Sequence, residues 1–145
     1  MRIRRGLPGD VGRALEIWRA AVDATHPFLS PGDRAELDDL VATFLPQAAM
    51  WVADDGGRVL GLLVMDGSMI EALFVDPAVH GRGIGTALLQ HAIALAPDAT
   101  VDANEQATNA LPFYESRGFV RMGRSDTDRQ GRPYPLVHLR YAPPR

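Results

Sequence analysis

Three glycines at alternate positions, Gly81, Gly83 and Gly85, separate an apolar stretch, Leu73-Phe74-Val75, from a run in which Ile84, Leu88, Leu89, Ala92 and Ile93 recur at helical spacing. Glycine accepts positive φ and lets other atoms approach its backbone, so such a turn gathers several N–H groups on one concave surface. A helix beginning there contributes unpaired donors and the positive end of its dipole. The chemistry on offer is anion binding, with a phosphate or pyrophosphate as guest and the Arg82 side chain adding charge. A plain tight turn would use the same glycines.

The surrounding residues separate the known loop types. A nucleotide triphosphatase loop requires Lys and then Ser or Thr after its last glycine, whereas Gly85 is followed by Thr86-Ala87. The dinucleotide fingerprint needs Gly or Ala where Thr86 stands and a first glycine directly after the strand; here Pro77 to His80 intervene. Asp102, about twenty residues beyond the glycines, would suit the ribose-binding acid of that fingerprint, so a dinucleotide-binding oxidoreductase stays open as an alternative.

Phe74-Val75-Asp76-Pro77 followed by His80-Gly81-Arg82-Gly83-Ile84-Gly85-Thr86-Ala87-Leu88-Leu89 resembles the signature of the GNAT acyltransferases, Q/R-x-x-G-x-G/A at the start of a helix. Phe113-Tyr114-Glu115-Ser116-Arg117-Gly118-Phe119 resembles that family's second landmark, F-Y-E-K-L-G-F, in the expected order and about thirty residues on. Asp23-Ala24-Thr25-His26, Asn104-Glu105-Gln106 and Tyr134-Pro135-Leu136 are similar to its YjaB-like subgroup, which extends the resemblance over essentially the whole chain. Two positions depart from the pattern. His80 stands where the family prefers Gln or Arg, and Ala107 stands where it keeps an Asn seven residues before its Tyr.

The resemblance implies an acetyl-CoA-dependent N-acetyltransferase that moves acetyl directly to a primary amine. A non-catalytic acyl-CoA sensor is the alternative. The cofactor pyrophosphate would lie against His80, Gly81, Arg82, Gly83, Ile84, Gly85 and Thr86. Its peptide-like arm would pair with the main chain of Leu73, Phe74 and Val75, in a strand that this family splays from its neighbour. Asn104 and Asn109 are the side chains expected to help hold that arm. Tyr114 matches the family's Tyr, the acid that protonates the departing sulfur, and Glu71 is the candidate base. His26 and Phe28, in the segment that covers the acceptor in this family, would line the substrate pocket. His91 and His138 are expected on a helix face and a strand face without a role.

These residues need elements to position them. Hydrophobic spacing predicts helices over Asp10–Ala24, Asp33–Phe44 and from Ile84 to the stop at Ala96-Pro97-Asp98, with a further helix over Ala107–Arg117. Strands are expected at Met1–Arg5, Met50–Ala53, Val59–Met65, Met69–Val75, Thr100–Asp102, Phe119–Gly123 and Leu136–Tyr141. Asp54-Asp55-Gly56-Gly57 is a hairpin signal. The order makes a mixed α/β single domain over residues 1–145. The resemblance adds a GNAT fold, with a mixed, mostly antiparallel sheet of about seven strands, about four helices on its two faces and a splay between the central strands.

Bulk properties narrow the classes. A net charge of −3 leaves no footprint for nucleic acid or an anionic membrane surface. All 15 basic side chains are Arg, and with no cysteine there is neither a disulfide nor an acyl-cysteine route. His, Asp and Glu lack metal-ligand spacing, so no metal is expected, and Asp126-Thr127-Asp128 reads as a turn. No apolar run approaches spanning length and no signal core opens the chain, so a cytoplasmic enzyme is expected. Its partners would be a small-molecule or peptide amine, with the chain as monomer or homodimer.

Overall fold

The computed structural model describes residues 1–144. Seven strands form one sheet: β1 (Arg2–Arg5), β2 (Met50–Asp55), β3 (Arg58–Asp66), β4 (Met69–Val75), β5 (Thr100–Asn104), β6 (Phe119–Ser125) and β7 (Leu136–Tyr141), in the spatial order β1-β2-β3-β4-β5-β7-β6. Every neighbouring pair is antiparallel except β4 and β5. The mainly antiparallel sheet is not the doubly wound parallel sheet that a dinucleotide site requires, which removes the oxidoreductase reading.

Four α-helices cover the faces: α1 (Val11–Thr25), α2 (Pro31–Phe44), α3 (Ile84–Leu95) and α4 (Ala110–Glu115). Among the described residues no helix is long and apolar enough to cross a membrane. Helix α1 buries Ala14, Ile17, Trp18, Ala21 and Val22, the single stripe that helical periodicity demands. Strand β3 is buried on both sides, because Leu62 and Val64 meet α1 while Leu63 and Met65 join the core under α3 and α4. Gly61 lets α3 come close: a Cβ there would stand 2.9 Å from Leu88 Cδ1.

Two helices differ from expectation. Helix α2 starts earlier, at Pro31, because the Ser30 hydroxyl accepts the Asp33 N–H at 3.1 Å and proline suits a first helical position. Helix α4 starts later than Ala107. The Asn104 side-chain oxygen accepts the Gln106 N–H at 2.9 Å, and Asn109 adopts φ 63°, so the chain turns before it coils. Pro112 then falls in the first turn, where its missing N–H costs no intrahelical bond.

The join between β4 and β5 positions the site. Only Met69↔Thr100 and Ile70↔Val101 pair across it. Beyond them the β5-facing edge of β4 is left without a strand neighbour. On its other side β4 stays paired with β3 as far as Val75↔Gly61. Val64 faces Ala72 and Met65 faces Ile70, so Glu71 is the extra residue of a β-bulge.

Candidate active site

On the α3 face, β4 leads into the glycine turn. Gly81 (φ 84°) and Gly83 (φ 79°) adopt left-handed backbone with open space where a Cβ would sit. Gly85 plays a different part, since its Cβ would meet the Phe113 ring at 3.4 Å and Val75 at 3.6 Å. That contact joins the start of α3, the end of β4 and α4. Gly83 is the N-cap residue of α3, no side chain caps the helix, and no acid stands in its first turn. The first amides of this 12-residue helix therefore have no side-chain partner, as a helix start able to take an anion would.

Two side chains steady this corner. Asp76, buried at the end of β4, accepts the Ala78 N–H at 3.0 Å and the Arg13 guanidinium at 2.6 Å, and these bonds hold its carboxyl below the usual range. Arg117 reaches back from beyond α4 to the Thr86 hydroxyl at 3.0 Å while lying over the Phe113 ring. It brings a cation to the glycine turn, and its side chain, like those of His80 and Arg82, is exposed.

Tyr114 is buried in an apolar wall, edge-on to Phe113 at 5.1 Å and to Phe119 at 5.4 Å. Burial pushes its phenol well above the ordinary tyrosine range, so it stays protonated at neutral pH. Asn109 caps α4 by its backbone conformation, without a side-chain bond.

The opposite face of β4 opens on a cavity of about 310 Å³ between α1, α2 and the β6–β7 connection. Glu71, Phe74, His26, Asp102 and Asn104 line it, with Trp18, Val22, Leu37, Val41 and Leu136 as apolar wall. Phe28 stands behind, packed between His26 (5.4 Å) and Tyr134 (5.8 Å). Thr25 Oγ1 gives its only proton to the Ala21 carbonyl at 2.8 Å, so in their 2.7 Å contact His26 Nδ1–H must donate. That leaves the Nε2 lone pair open, and burial lowers the histidine's pKa, keeping the ring neutral.

Polar groups cross this face of the sheet in one row. Ser125 Oγ lies 2.6 Å from His138 Nε2, and His138 Nδ1 lies 2.6 Å from Asp102 Oδ1. Arg129 bridges Asp102 (3.3 Å) and Glu71 (3.2 Å). Sequence reasoning gave His138 no role and passed over Arg117, Arg129 and Trp18. Period-two alternation does place Asp102 and His138 on one face, but only the register Asp102↔His138 makes them neighbours. Arg129 lies in a connection with no periodicity to read. His91, expected without a role, packs edge-on to Trp51 at 4.3 Å.

The model of the Acetyltransferase (GNAT) domain matches residues 29–135. The chain is 47% identical over 142 residues to the peptidyl-lysine N-acetyltransferase YjaB of Salmonella typhimurium, covering 97% of this chain and 98% of the relative. The solution structure of apo-form YjaB from Escherichia coli superposes with a TM-score of 0.93 at 43% identity, covering 99% and 98% of the two chains. The crystal structure of PaiA N-acetyltransferase from Thermoplasma acidophilum in complex with coenzyme A shares the fold at TM-score 0.68 and 17% identity, covering 97% and 98%. The family model and the near full-length relatives together define an acyltransferase that moves acetyl from acetyl-CoA to a primary amine. This chain belongs to the GNAT acetyltransferase family.

Proposed function

We propose that this enzyme acetylates the side-chain amine of lysine in peptides or proteins, with Glu71 as general base and Tyr114 as general acid. One observation carries the reading: Glu71, the residue bulged from β4, lines the cavity where β4 and β5 part. An amine entering from the α1–α2 side meets there a donor bound from the α3 side. The name of the Salmonella relative supports lysine as acceptor.

The residues fit acetyl-CoA. Open space at Gly81 and Gly83 and the uncapped amides of α3 suit its pyrophosphate, and the unpaired edge of Leu73, Phe74 and Val75 suits its peptide-like arm. Acetyl-CoA supplies the thioester carbonyl and a thiolate leaving group. Glu71 takes a proton from the acceptor ammonium, directly or through one water, and the freed lone pair forms the C–N bond as the C–S bond breaks. Tyr114 gives its proton to the departing sulfur, and the second proton of the acylated nitrogen passes, directly or through water, to the phenolate left behind, so that amide and thiol leave neutral.

The test compares initial rates on an N-terminally blocked peptide carrying one lysine and on the same peptide with arginine in its place. The lysine peptide alone should react, and Glu71→Gln should lower kcat by about 100-fold at pH 7. Equal inactivity of the two peptides would remove lysine as acceptor. An unchanged rate in E71Q would remove the base.

A further inference from the structure

We propose that Arg129 occupies the seat of the acceptor's ammonium, as a resident mimic of the lysine side chain that an incoming acceptor displaces. The inference rests on the acceptor entering the cavity above. Arg129 Nη1 stands 3.2 and 3.3 Å from the two oxygens of Glu71, while Nε and Nη2 stand 3.4 and 3.3 Å from Asp102 Oδ2. One cation thus lies between carboxylates of the two strands that part at the reaction centre. This is where a primary ammonium must be held before it gives up its proton.

Its setting is built for exchange. The backbone around Arg129 is pinned, because Asp128 Oδ1 accepts the N–H groups of Gln130 (3.0 Å) and Arg132 (2.8 Å). The guanidinium, which also touches Met69 Sδ at 2.5 Å, is held less firmly: the Arg129 side chain is 46% exposed, against 21% for each carboxylate, and ion pairs this open hold weakly. Only the side chain has to swing. Asp102 stays in place meanwhile, since its other oxygen is held by His138, itself backed by Ser125. The apolar wall of Trp18, Leu37 and Phe74 suits the methylene stem of a lysine.

The occupant is also chemically inert. A guanidinium keeps its proton and offers no lone pair to a thioester. The chain contains no lysine at all, so none of its side chains carries a primary amine. Arginine is the cation that can rest beside Glu71 without being consumed.

The absence of lysine makes the test clean. Arg129→Lys introduces a single side-chain amine into the assumed seat. On incubation with acetyl-CoA, intact-mass and fragment spectra should find one acetyl group at position 129, lost in R129K/E71Q. Arg129→Ala should lower KM for the lysine peptide by about 5-fold with kcat nearly unchanged, because the competitor is gone. R129K unmodified in an enzyme that acetylates lysine peptides through Glu71 would overturn the seat and leave the acceptor reading intact. A raised KM in R129A would overturn it too, since Arg129 would then be assisting the acceptor. Self-acetylated R129K in an enzyme that ignores lysine peptides would keep the seat and reject peptidyl lysine as the acceptor. Failure of both reactions would remove both readings.

Discussion

Tyr114 has a hydroxyl to spend and little else to do with it. Burial among Phe113 and Phe119 stabilises the ring and keeps the proton on its oxygen, so in the proposed role the donor is loaded at neutral pH, at the cost of being a weaker acid. Tyr114→Phe keeps the ring packing, so the fold and the KM for acetyl-CoA should change little while kcat falls by about 100-fold. Steady-state rates check this, and a wild-type kcat in Y114F would move the acid elsewhere. Glu71 has the opposite character. It projects from a bulge, a position where a strand gives up a ladder partner to re-aim a side chain.

At the scale of elements, the glycine turn divides its labour. Gly83→Val forces a β-branched residue into φ 79°, which costs roughly 1–3 kcal/mol locally. Gly85→Val instead presses on Phe113 and so disturbs the helix that carries Tyr114. Titration calorimetry with CoA should show weakened binding in both, with the loss in kcat larger for G85V. Helices α1 and α2 are clasped by Asp38, which accepts from Arg19 at 2.7 Å and Arg34 at 3.0 Å. These guanidinium bonds lower its pKa from 3.8 to about 2. A depressed carboxylate stabilises the fold fully above the unfolded value, progressively less as pH falls toward about 2, and not at all below it. Asp38→Asn should therefore be less stable than wild type at pH 7 and equal to it near pH 2 in denaturant titrations.

Most of these elements were legible in the residue pattern. Strands β4 and β7 run over the predicted spans, and α1 lies within one residue of its predicted bounds. The glycine turn and the helix after it were legible because one contiguous stretch, from Leu73 to Leu89, builds them. On the other face Glu71 and His26 were named from the sequence and line the cavity, but their polar neighbours were not legible there, for a physical reason: Asp102, Arg129 and His138 come from three further segments, and their meeting depends on strand register and on a loop conformation set by Asp128. The start of α4 was misjudged for a related reason, since a left-handed Asn109 leaves no mark in hydrophobic periodicity.

For the molecule as a whole, the seam between β4 and β5 is the line of least cohesion in the sheet. Two residue pairs join a panel of β1 to β4 with a panel of β5, β7 and β6. Acetyl-CoA lying along that seam should stabilise the fold by about 2.7 kcal/mol at a hundredfold excess over its Kd, or roughly 5 to 10 °C in Tm. Amide exchange should slow at Leu73 to Val75 more than at the fully paired β3. Equal slowing of exchange at β3 and at Leu73 to Val75 would mean that the ligand does not lie along the seam. If the cofactor is the rivet between two hinged plates, the rigidity of the enzyme follows the metabolic supply of its own donor. A starved cell would then hold a softer, more readily digested protein than a well-fed one.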